Sequence, residues 1–205
     1  MNDLKEISGV ISLSTVETTR GEARKLLKLC EKNKESQSAL AGCCIILLAA
    51  ALDQSTSTIL KDKAMNQVNA ENDIFEETES GKLSKESLRT RFLSLPFILS
   101  EGKYDINRNS QYTKLIHDLI SLRNQLAHVE ELPLTIPNSK VKIAFNQNGE
   151  TSNISCPVPQ NPWTNITFKK AEKIQEAVDI YFKEVSGDFI NGGKDDGEII
   201  SLIKV

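Results

Sequence analysis

Arg123, Asn124 and His128 form the one compact polar cluster of this 205-residue chain whose residue types suggest chemistry, inside the stretch LIHDLISLRNQLAHVEE at 115–131. A histidine can move a proton near neutral pH, and the fixed fork of an arginine suits a phosphate that gains charge in a transition state. Together they suit proton transfer beside a phosphate that gains charge. Asn124 and His128 stand at i and i+4, so a helix makes them neighbours, and the amide can hold one ring nitrogen and set the tautomer. Arg123 does not share that face. Five residues at about 100° each leave it about 140° from His128 on a continuous helix. Either the helix ends near Ala127 and His128 folds back, or a second chain completes the site.

Three further residues are candidate helpers: Asp53, which could face the cluster from another helix, His117, near the angular position of His128, and Glu131, which with Glu130 flanks His128 and could raise its pKa. Tyr104, Tyr112, Tyr181 and Trp163 could stack bases. Each has a plainer alternative. Cations suit the negative end of any helix, a histidine on a helix surface is commonly solvated, and aromatic residues are commonly packing.

The elements that must position this cluster are helices. From Leu115, the residues Leu119, Leu122 and Leu126 recur at helical spacing, widened by Ile116, Ile120 and Ala127, so a core-facing helix is predicted from about Ser110 to His128, capped by Asn109 or Ser110. A Ser-x-x-Glu box at Ser14–Glu17 starts a first helix to about Lys34. The second is predicted over about 36–65, with ALAGCCIILLAAAL apolar nearly all round and a Ser/Thr cluster after it where it could bend. Residues 66–81 read as a polar loop. Ser84 can cap a third helix that Pro96 ends or kinks. Beyond the fourth helix, Lys140–Phe145, Asn148-Gly149 and Thr151–Cys156 predict a β-hairpin within about 134–156. Thr167 caps a last helix, with Phe168, Ala171, Ile174, Val178, Tyr181 and Val185 on one face and Gly187 to stop it. The fold class is therefore mainly all-α, an up-down bundle of four to five helices over 1–186 with a small inserted β-hairpin. Residues 187–205 read as a linker and a C-terminal tail whose EIISLIKV could be a strand or a partner-binding segment.

Composition narrows the function classes. The formal charge of −3 argues against coating nucleic acid non-specifically, yet allows a small basic cleft. Cys30, Cys43, Cys44 and Cys156 have no zinc-ligand spacing and read as buried thiols of a reducing compartment, and no metal or cofactor is expected. The 14-residue apolar run 39–52 is shorter than the roughly 18–20 residues of a membrane span, and the N-terminus lacks a secretory pattern, so a cytoplasmic protein without a membrane partner is expected.

The hexapeptide RNQLAH at 123–128 resembles the Arg-x4-6-His motif of the HEPN superfamily, including the polar residue directly after the arginine and the late position in a helical bundle. The resemblance implies a metal-independent endoribonuclease of a toxin–antitoxin or phage-defence system, with RNA as substrate. It further implies a homodimer with the motif at the shared interface, and an antitoxin or sensor protein as a possible partner. Some HEPN toxins carry a tyrosine two residues after the histidine, a target for a modifying partner. Glu130 stands there in this chain. The alternative is a catalytically silent HEPN-like module that binds a partner protein or a nucleotide.

Overall fold

The computed structural model describes residues 2–67, 78–127, 142–145, 151–155, 163, 166–186 and 201–205. The described chain is mainly α-helical: α1 (Asn2–Lys32), α2 (Gln37–Gln67), α3 (Glu79–Ser84), α4 (Leu88–Leu99), α5 (Gln111–Ala127) and α6 (Phe168–Ser186). Two short antiparallel pairs accompany them, β1 (Tyr104–Ile106) with β4 (Leu202–Lys204), and the hairpin β2 (Lys142–Phe145) with β3 (Thr151–Ser155).

Helix α2 is the centre of the bundle and packs on α1, α3, α4, α5 and α6. Ala41, Cys44, Ile45, Leu48, Leu52 and Leu60 are buried along it. Because residues of both the i+3 and i+4 rows are apolar, it can face several neighbours at once. Residues 37–65 are long and apolar enough to cross a membrane by length and composition, although the apolar run at its start is shorter. In this fold 56% of its most apolar window is buried against protein. The Ser/Thr cluster does not end the helix: Ser55 and Thr56 are buried within it, and Thr56 returns its hydroxyl to the Asp53 carbonyl at 3.2 Å. Cys43 corrects the expectation of buried thiols: it is exposed, while Cys30 and Cys44 are buried. Neighbouring helical residues point about 100° apart, so one of a vicinal pair must turn away from a one-sided contact.

Helix α5 holds Ile116, Leu119, Ile120 and Leu126 in the core, and Ala127 falls outside the stripe as an exposed residue. Ser110 starts it, accepting the Tyr112 amide at 3.2 Å. Thr167 likewise caps α6, accepting from the Lys170 amide at 3.2 Å.

Helix α1 begins at Asn2, so the Ser14–Glu17 box lies inside it and does not start it, and the segment before α5 also departs from expectation. Ser84 closes the short α3, and Ser87 caps α4 instead, accepting from the Thr90 amide at 3.2 Å. Pro96 lies inside α4 without ending it. Proline cannot donate to the carbonyl four residues back, which is Phe92. That carbonyl accepts the hydroxyl of the buried Tyr181 instead, at 3.4 Å. The C-terminal residues belong to the body. β4 pairs with β1 in the register Ile106↔Leu202, Leu202 is buried, and the buried Glu184 accepts from the Ser201 amide at 3.0 Å and from its hydroxyl.

Candidate functional site

Three helices, α2, α4 and α5, enclose a cleft of about 580 Å³. Four of the sequence candidates line it: Asp53 from α2, and His117, Arg123 and Asn124 from α5. Each element brings its residue there for a local reason. Residues 117, 120, 121 and 124 recur at three- and four-residue spacing, so burying the Ile116/Leu119/Leu126 face against the core leaves this strip turned toward α4. Asp53 is the first polar residue after the apolar run of α2 and stands half-exposed at the rim.

Arg123 donates from Nη1 to Oδ1 of Asn124 at 3.0 Å. A guanidinium only donates, so the amide oxygen must face it, and the amide NH2 remains a donor for another group. His128, Glu130 and Glu131 lie outside the described residues, and so does the placement of the histidine relative to Arg123.

Sequence reasoning missed the opposite wall, which carries Arg89 and Arg91 of α4. Arg91 is buried, its side chain 9% exposed, and it donates to the Asp53 backbone carbonyl at 3.2 Å and to the Asp53 carboxylate. Its Nε is buried with no hydrogen-bond partner among the described residues. The one signal for it was the charge alternation of LRTR at the start of an apolar helix, and nothing in that pattern says which helix it faces.

Three arginines and three carboxylates line the cleft: Arg89, Arg91 and Arg123 against Asp53, Glu86 and Asp118. They are unevenly paired. Asp53 is engaged by Arg91, and Asp118 by Lys170 of α6 at 3.0 Å. That leaves Arg89 and Arg123 without a carboxylate partner among the described residues, opposed only by the exposed Glu86. The cleft thus has donor groups to spare for an anion.

His117 is half-buried, its ring edge-on to the buried Phe92 at 5.7 Å and 90°. Burial, then the positive fields of Arg89 and Arg108, hold its pKa below the ordinary histidine value, and Asp118 opposes them. It is therefore neutral at neutral pH and offers one N–H and one lone pair. Of the aromatic candidates, Tyr181 is buried in the core and cannot stack a base, and Trp163 lies against Gly42, where an added Cβ would come within 2.6 Å of its ring. Among the described residues no group of three or more His, Cys, Asp or Glu is placed to hold a metal ion.

No family model matches the chain, and no curated protein or solved structure matches it.

Proposed function

We propose that the chain is a metal-independent endoribonuclease of a toxin–antitoxin or phage-defence system, acting on RNA at the cleft between α2, α4 and α5. The observation that carries the reading is the hydrogen-bonded Arg123–Asn124 pair on the wall of a cleft whose arginines outnumber the carboxylates free to neutralise them. The resemblance of RNQLAH to the HEPN motif supplies the roles. Arg123 holds and stabilises the scissile phosphate, and His128 transfers the proton. Asn124, with its oxygen committed to Arg123, donates from its NH2 to one ring nitrogen of His128 and fixes the tautomer. The 2'-oxygen attacks phosphorus, the bond to the 5'-oxygen breaks, and the products are a 2',3'-cyclic phosphate and a 5'-hydroxyl. The HEPN resemblance also supports a homodimer that brings the two copies' motifs to a shared interface. The active protein is cytoplasmic in this reading, and an antitoxin or sensor protein holds it in check.

A second reading has one observation in its favour: carboxylates equal arginines in number around the cleft, a balance better suited to one nucleotide or a partner's acidic group than to a long strand. Expression of the wild type beside Arg123→Ala and His128→Ala separates the two. A ribonuclease arrests growth and cuts total RNA, and both variants lose these effects while keeping the wild-type melting curve. A silent module does neither in any form.

A further inference from the structure

We propose that the cleft holds two phosphates of one RNA strand, one at the Arg123–Asn124 pair and a neighbouring one at Arg89 and His117. This rests on the reading of the cleft as an RNA site and adds a second anchor to it. His117 precedes Arg123 by six residues, or about 9 Å along α5. That separation is of the order of the spacing between neighbouring phosphates of a strand, and both residues line the same cleft.

The charge pairing supports a second anchor. Arg89 reaches the cleft from α4 with no carboxylate partner among the described residues, on the wall facing α5. Asp118, the acidic neighbour that would compete for it, is drawn to Lys170 at 3.0 Å. Asp53 is committed to the buried Arg91. The groups that act on His117 are Arg89 from α4, Arg108 from the turn before α5, and Asp118 from its own helix; of the other carboxylates in the cleft, Asp53 is held by Arg91 and Glu86 is exposed, so the two arginines dominate the field at the ring. The perpendicular packing on Phe92 restrains the ring, so less side-chain freedom remains to be lost on binding. A phosphate placed between Arg89 and His117 relieves that positive field and favours the protonated ring, adding a second charge-assisted hydrogen bond.

The test is direct binding of uridine 3',5'-bisphosphate and uridine 3'-monophosphate to the full chain by titration calorimetry. It compares wild type with Arg89→Ala and His117→Gln, each checked for an unchanged melting curve. The expected result is about tenfold tighter binding of the bisphosphate in wild type, rising as pH is lowered through the His117 range. That advantage disappears in Arg89→Ala, and its pH dependence disappears in His117→Gln. Equal affinity for both nucleotides in wild type overturns the proposal, as does an advantage that survives Arg89→Ala. If neither nucleotide binds but the protein cuts RNA, the second anchor is wrong and the ribonuclease reading stands. If neither binds and RNA is not cut, both fall.

Discussion

Two arginine clusters, on different packing seams of the bundle, use the same residue in different ways. Where α1 meets α6, Arg20 and Arg24 both donate to Asp179, at 2.6 and 2.8 Å, Gln175 donates to its other oxygen at 3.1 Å, and Glu17 also pairs with Arg20. The Arg20 guanidinium lies 4.5 Å over the Phe182 ring. Every charge there has a partner, and Arg20 is almost fully buried. In the α2–α4–α5 cleft only Arg91 is treated that way, while Arg89 and Arg123 face open space. A cation that is buried and paired holds helices together. One that is held at a cleft without a carboxylate is available to a ligand.

The largest expected effects fall on activity. Arg123→Ala or His128→Ala should lower RNA cleavage by roughly 10²- to 10⁴-fold, read as initial rates on a labelled oligonucleotide. Melting temperature should not move with Arg123→Ala, because an exposed arginine whose one hydrogen bond is to its exposed neighbour costs within about 0.5 kcal/mol. In the α1–α6 seam the order reverses: Asp179→Ala leaves the buried Arg20 with only the exposed Glu17 as carboxylate partner and should cost about 1–2 kcal/mol in urea unfolding, with RNA cleavage per folded molecule unchanged. Asp53→Ala should do both things at once. It leaves Arg91 unpaired at a cost of about 2 kcal/mol, and it releases a third arginine, so binding of uridine 3'-monophosphate tightens. Weaker monophosphate binding in Asp53→Ala would place the carboxylate among the ligand contacts and break the contrast between the clusters.

The smallest effects are on pH dependence. Burial pushes the Asp179 carboxyl up, but hydrogen bonds from Arg20, Arg24 and Gln175 outweigh it and hold the carboxyl below its usual range. With a depressed folded pKa, its contribution is fully present above the unfolded carboxylate value and is lost as pH falls through the folded one. The acid limb of stability should therefore flatten in Asp179→Asn. His117 is depressed as well, so its contribution is present above the ordinary histidine pKa and declines as pH falls below it. His117→Gln should flatten that part of the profile, read as the pH dependence of urea unfolding.

Those contrasts also mark what was legible in the sequence. The stripes of α5 and α6, their caps at Ser110 and Thr167 and the inserted hairpin are local patterns, in which a residue's neighbours along the chain decide its face. Arg123, Asn124, His117 and Asp53 were singled out by residue type and spacing, and they line one cleft. Arg89 and Arg91 were not, because Arg91 matters through Asp53, 38 residues away, and periodicity reports which face is inward without naming what it meets. The same limit hid the Arg20–Asp179 pair, 159 residues apart, and the pairing of β4 with β1. Pro96 read as a break because the donor that replaces its amide, Tyr181, comes from another helix.

The most direct test of the central claim is a time course of the purified chain on 5'-labelled RNA in EDTA, beside Arg123→Ala. The expected result is wild-type cleavage to products ending in 2',3'-cyclic phosphate and no products above background from the variant. Intact RNA with both proteins, or equal cleavage by both, would contradict it.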